Sequence, residues 1–192
     1  MSRANKQQQI LEASSHIFLE RGFEKATVEA IAVEAKVGKG TIYEYFDSKE
    51  ILFIEMIKAG VTYVYNDLYH VFKQKETMEE TVEDFLHSSH QLFHEHGDKM
   101  RILYEDITKM PHELEVWIVE KSEWLVSQIA KTLQSFMDDG QIRDVCPNIL
   151  AMLILHSLQI GFYYKVVRGE RDLESILRTQ MDIIFKGVNP IP

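Results

Sequence analysis

An all-α protein is predicted, with three short helices in helix-turn-helix order at the N-terminus and six more helices behind them. Three observations predict it. Apolar residues recur at spacings of three and four along nearly the whole chain, and no stretch alternates as a half-buried strand does. Only four prolines and nine glycines interrupt 192 residues rich in Leu, Ile, Glu, Lys and Gln, which are good helix formers. Turn signals crowd into the first 48 residues and cut that stretch into short helices.

The first helix is expected from about Asn5 to Arg21, with Ile10, Ala13, Ile17 and Phe18 on one face and Gly22 as a left-handed cap. Thr27 reads as the N-cap of a second helix whose apolar stripe is Val28, Ile31, Ala32 and Ala35. Lys36-Val37-Gly38 is a turn, and a third helix runs from Lys39 to Phe46 with Ile42 and Phe46 facing inward. Asp47 as acceptor and Glu50 three positions later open a fourth helix, about Lys49 to Phe72, with Ile54, Ile57, Val61, Val64, Leu68 and Phe72 in register. After a polar linker, a fifth helix carries Val82, Phe85, Leu86, Ser89 and Phe93 and ends at Gly97. A sixth covers Lys99 to Lys109 and is broken by Met110-Pro111. The seventh runs from His112 to Met137, the eighth from Asn148 to Val167, and the ninth from Asp172 to Lys186.

Charge and cysteine content narrow the setting. The net charge of −9 argues, read alone, against a nucleic-acid partner. Its distribution softens that: residues 1–50 hold seven Lys/Arg against eight Asp/Glu, and the rest of the chain holds fourteen against twenty-two. A near-neutral first part can still carry a local basic face. A lone Cys146 makes no internal disulfide, the longest strictly apolar run is Ile149 to Leu155, and the first residues are polar. A cytoplasmic protein without membrane segment is expected.

The second and third helices have the spacing of a helix-turn-helix, in which the first residues of the second helix meet base edges in the major groove. Those residues are Lys39, Gly40 and Thr41, followed by Tyr43, Glu44 and Tyr45. Lys39 brings charge, Gly40 permits close backbone approach, and Thr41 can bond a phosphate or touch a thymine methyl. Tyr43 and Tyr45 offer hydroxyls to phosphates. Lys49 lies in the first turn of the next helix, where the dipole disfavours a cation, so an external anion explains it better than helix stability does.

The stretch Thr27-Val-Glu-Ala-Ile-Ala-Val-Glu-Ala-Lys-Val-Gly-Lys-Gly-Thr-Ile-Tyr-Glu-Tyr-Phe-Asp-Ser-Lys-Glu50 resembles the DNA-binding segment of the tetracycline-repressor (TetR/AcrR) family, densely over about residues 8–53. The Gly40-Thr41-Ile42-Tyr43-x-Tyr45-Phe46-x-Ser48-Lys49-Glu50 block is its most specific sign. The resemblance implies a DNA-binding domain over residues 1–48 and a six-helix ligand-binding and dimerisation domain over 49–192. It implies phosphate contacts from Thr27, Tyr43 and Lys49, and base or groove-edge contacts from Lys39, Gly40, Thr41 and Tyr45. Three positions depart from the family pattern. Lys36 stands where Gly is frequent, at a cost of about 1 kcal/mol if the turn is left-handed. Gly38 replaces a common Ser cap, and Glu44 sets a carboxylate where an aromatic or basic residue is frequent, so it points away or accepts from a cytosine amino group.

Helix eight is apolar nearly all round (Ile149, Leu150, Met152, Leu153, Leu155, Leu158, Ile160, Phe162), so burial on both sides is expected. The resemblance implies that the last two helices pair with their counterparts in a homodimer, which would set two recognition helices about 34–36 Å apart on a palindromic operator. It also implies a small-molecule effector among helices four to eight. Tyr65, Phe93, Met100, Tyr104, Trp117, Trp124, His156 and Phe162 are the candidate lining, and their character favours a mainly apolar ligand. Release of the operator would then follow from a population shift. Two alternatives compete. His87, His90 and His94 share a helix face with Asp84 and could make a metal-sensing regulator. A metal-dependent helical-bundle oxidase has weaker support, since Asp67-x-x-His70 and Asp84-x-x-His87 occur but no Glu-x-x-His. No catalytic residues, resident metal or cofactor are expected.

Overall fold

The computed structural model describes residues 3–73, 76–106, 111–170 and 172–188, with the side chains of 98–106, 166, 167 and 188 outside the described set. Among the described residues, eight α-helices and one π-helical turn follow in order: α1 Arg3–Lys25, α2 Val28–Glu34, α3 Lys39–Tyr43, α4 Lys49–Lys73, α5 Met78–Asp106, α6 His112–Asp138, α7 Pro147–Phe162, a π turn Tyr163–Val167, and α8 Leu173–Val188. The described residues contain no strand. The all-α expectation holds.

The chain forms two compact units. The first comprises residues 1–63 and 98–118, the second residues 64–97 and 119–192. In the first, α1 buries Ile10, Leu11, Ala13, Ser14, Ile17 and Phe18. Phe18 meets Phe53 edge-on at 5.0 Å, and Phe23 meets Phe53 at 4.9 Å. Ile31 of α2, Ile42 of α3, Phe46 and Leu52 are fully buried. This core fixes α2 and α3, which are too short to hold their shape alone. In the second unit, Phe85, Phe93, Leu125, Ile129, Leu133 and Ile154 are among the fully buried side chains. Gly161 lets α7 and α8 pack closely: a Cβ there would lie 3.1 Å from Leu177 Cδ2 and 3.2 Å from Leu173 Cδ1.

Four local expectations change. Gly22 breaks α1 as foreseen, but at φ 72, ψ 163, a region essentially reserved for glycine, and one more helical turn runs to Lys25. The cap of α4 is Ser48, whose Oγ accepts from Ile51 N at 3.2 Å, and not Asp47. Gly97 breaks nothing. α5 continues through it, because one glycine costs only about 1 kcal/mol against the packing of a long amphipathic face. The expected sixth helix is therefore the end of α5, with residues 107–110 outside the described residues. The eighth helix gives way at Tyr163 to the π turn.

Candidate nucleic-acid interface

Thr27 caps α2 in extended conformation, its Oγ1 accepting from Ala30 N at 3.2 Å. The hydroxyl hydrogen stays free to donate outward, and the side chain is exposed. The α2–α3 turn closes as a Schellman motif: Val37 N donates to Ala32 O at 2.9 Å and Lys36 N to Val33 O at 3.1 Å. That geometry places Lys36 at φ 51, so the strain foreseen for a side chain here is present. Gln9 Nε2 reaches from α1 to Ala35 O at 2.9 Å and ties the end of α2 to α1.

From this turn α3 presents Lys39, Gly40 and Tyr43 to solvent, with Thr41 and Tyr45 half-buried and Ile42 in the core. A Cβ at Gly40 would meet nothing within 4 Å. The protein's own packing therefore gives no reason for glycine at that point. The Lys39 ammonium donates to the Glu29 carboxylate across the α2–α3 corner and lies 5.9 Å from the centre of the Tyr43 ring. The Lys39 hydrogen bond holds the Glu29 carboxyl below the usual carboxylate range, and Glu29 in turn pushes the ammonium above its usual value. Glu44 is exposed at the C-terminal end of α3.

Lys49 corrects the sequence argument made for it. Its Nζ donates to Phe23 O at 3.0 Å and Ala26 O at 3.2 Å, and sits 4.4 Å from the centre of the Phe23 ring. The carbonyls of the α1–α2 corner, not an external anion alone, explain a lysine in the first turn of α4. Two of its three N–H groups are thereby used. Sequence reasoning also missed Arg3, whose guanidinium lies 5.4 Å over the Tyr45 ring, and the pairing partner Glu29. A basic residue in the polar stretch that precedes Ile10 was the available signal for Arg3; Glu29 and Lys39, ten residues apart on two helices, left none.

The candidate effector residues are only partly gathered. Phe93 and Phe162 are buried and stack at 6.5 Å. The Tyr65 hydroxyl and Ser122 Oγ share a hydrogen bond at 2.7 Å. Trp124 is exposed, 5.4 Å from the Tyr69 ring, and half-buried Trp117 has Lys58 at 6.0 Å. Met100 and Tyr104 fall where side chains lie outside the described residues. His156 is not interior: it shares the outward face of α7 with exposed Ile149, Met152, Leu153 and Ile160, its Nδ1 bonded to Gln159 Oε1 at 3.0 Å. An open concavity of about 880 Å³ lies in the second unit, lined by Met78, Val82, Leu86, Ile142, Arg178 and Phe185 among others, and contains none of these eight residues.

The helix eight expectation is met on one side alone. Leu150, Ala151, Ile154, Ser157, Leu158, Gly161 and Phe162 are buried, while the opposite side lies open within the single chain. Exposed Tyr163, Tyr164 and Ile183 lie in the π turn and α8. Among the described residues no three His, Cys, Asp or Glu side chains are gathered as a metal site. His87, His90 and His94 are exposed, and among the described residues no helix is long and apolar enough to cross a membrane.

Residues 10–56 match the model of the tetR family of bacterial regulatory proteins. This N-terminal segment is that of the TetR family. The whole chain is 27% identical over 189 residues to the uncharacterized HTH-type transcriptional regulator YhgD of Bacillus subtilis, covering 94% of this chain and 95% of that one. It is 22% identical to the HTH-type transcriptional repressor DhaR of Mycobacterium sp. (strain GP1), over 99% of this chain and 96% of that protein. The solved structure of FadR from Bacillus subtilis, in complex with stearoyl-CoA, superposes with a TM-score of 0.78 at 20% identity, over 95% of this chain and 99% of that chain. The TetR-family fold is thus present along nearly the whole length. A DNA-binding transcriptional regulator is what the Gly40-to-Glu50 block implied, and the family match bears it out.

Proposed function

We propose that this TetR-family regulator is a cytoplasmic repressor that binds a palindromic operator as a homodimer and leaves it when a mainly apolar small molecule binds. The DNA-binding role falls to residues 1–48 and the effector-binding and dimerisation roles to 49–192, a division by role that lies ahead of the break between the compact units after residue 63. The observation that carries the reading is the outward face of α3, where Gly40 has open space over it and Lys39 and Tyr43 stand exposed. Lys39, Gly40, Thr41 and Tyr45 meet the groove, and Thr27 and Tyr43 meet phosphates. Lys49 first clamps the α1–α2 corner and has one N–H left for a phosphate.

The open side of α7 with Ile183 of α8 supports pairing of the last two helices about a two-fold axis. For the effector, the stearoyl-CoA complex of FadR and a 33% identity over 75 residues to a fatty acid metabolism regulator of Bacillus subtilis favour a long acyl chain. A coupling of about 1–3 kcal/mol suffices for the release. YhgD and DhaR are named transcriptional regulators, and no catalytic step is assigned.

The test is enrichment of duplexes from a random pool by the purified chain, followed by titration of the selected duplex with stearoyl-CoA, palmitate and a small hydrophilic metabolite. A palindrome with half-sites about one helical turn apart, released by the acyl ligands alone, is expected. Enrichment of no duplex overturns the DNA reading, and release by the hydrophilic metabolite alone overturns the effector class.

A further inference from the structure

We propose that Glu29 is a specificity-determining residue, which holds the Lys39 ammonium off DNA phosphates and yields it where a base edge takes the carboxylate's place. The inference rests on the DNA-binding role given to α3 above. Lys39 is the first residue of α3, and Glu29 lies in the first turn of α2, so the pair spans the corner between the two helices. Both side chains are at least half exposed, so water screens the pair and lets it exchange. The Tyr43 ring lies 5.9 Å from the ammonium and with Glu29 defines where the charge rests in the free protein.

The physical consequence follows from what DNA offers. Phosphates are present on every duplex, and a free lysine is drawn to them without regard to sequence. Paired acceptors such as guanine O6 and N7 occur only where the sequence supplies them. A carboxylate already on the ammonium subtracts from the first attraction everywhere, and it is compensated only where a base edge receives the lysine in fixed geometry. Residues 1–50 hold seven Lys/Arg against eight Asp/Glu, so a single restrained lysine is a sizeable share of the available cations.

The experiment compares the full chain with Glu29→Gln, Lys39→Met and the double variant, on the selected operator and on a scrambled duplex of the same length, across a salt titration. Glu29→Gln is expected to bind the scrambled duplex more tightly. Its log affinity against log salt steepens by about 0.9 for each phosphate newly neutralised, or about 1.8 for a dimer. The operator-to-scrambled ratio falls about fivefold or more. Lys39→Met added to Glu29→Gln restores the wild-type slope on scrambled DNA. An unchanged slope, an equal gain on both duplexes, or a gain that survives Lys39→Met each overturns the proposal. Equal binding of the wild-type chain to both duplexes would instead bring down the parent reading of α3 together with it.

Discussion

Replacing Lys49 by alanine tests whether the ammonium works inward or outward. It donates to Phe23 O at 3.0 Å and Ala26 O at 3.2 Å and sits over the Phe23 ring at 4.4 Å. A hydrogen bond with a charged donor is worth about 1.5–3 kcal/mol when fully made. The side chain is only half-buried, and water can reach part of the site, so the two together are discounted to about 2 kcal/mol. For a chain of this size that loss lowers the melting temperature by about 4–8 °C. Lys49→Met keeps an unbranched apolar side chain but loses the ammonium, and with it both hydrogen bonds and the charge over the ring, so it should fall nearly as far. Thermal melting followed by far-ultraviolet circular dichroism reads the loss, and a salt titration of operator binding reads any phosphate contact. An unchanged melting temperature, with a salt slope shallower by about 0.9 per protomer, would refute the clamp and return the ammonium to the DNA.

Four further outcomes are expected. Gly40→Ala should raise the melting temperature, since the methyl meets nothing within 4 Å and alanine favours helix by up to about 1 kcal/mol, yet weaken operator binding. Undiminished binding in a gel-shift titration would count against close DNA approach at that residue. Leu153→Glu, on the open side of α7, should leave helix content intact and shift sedimentation from dimer to monomer; an intact dimer would move the interface elsewhere. Lys36→Gly should stabilise by about 0.5 kcal/mol, because relief of the left-handed strain slightly exceeds the entropy glycine adds to the unfolded chain, whereas Lys36→Ala should not. Glu83, held below the usual carboxylate range by the hydrogen bond from Arg178, contributes fully above that range and loses its contribution as pH falls through its folded pKa. Glu83→Gln should therefore flatten the decline of melting temperature between about pH 5 and about pH 3.

The sequence made the helices legible because each buries one apolar face at helical spacing, and it made the recognition helix legible because Ile42 and Phe46 point inward while Lys39, Gly40 and Tyr43 cannot. Thr27 was readable as a cap, and the strain at Lys36 was readable from one missing glycine. Lys49 was misread because its partners are carbonyls, which every residue carries and no residue type advertises. Ser48 displaced Asp47 because adjacent residues offer the same acceptor chemistry, and only the path of the backbone chooses between them. Gly97 looked like a stop because its cost is local, while the packing that outweighs it is not. His156 looked like an interior polar group because spacing alone does not say which side of α7 faces the core.

Gly22 has empty space around it, so by volume any side chain fits there. Its torsions, φ 72 and ψ 163, nevertheless exclude every residue with a side chain at moderate energy. The direction in which the chain turns at Gly22 is thus stored in two backbone angles of that residue, which the contacts of Phe23 and Lys49 beyond it then hold. Saturation mutagenesis would see an intolerant site with no neighbour to blame, and no compensating substitution nearby could make room, because room is not what is lacking.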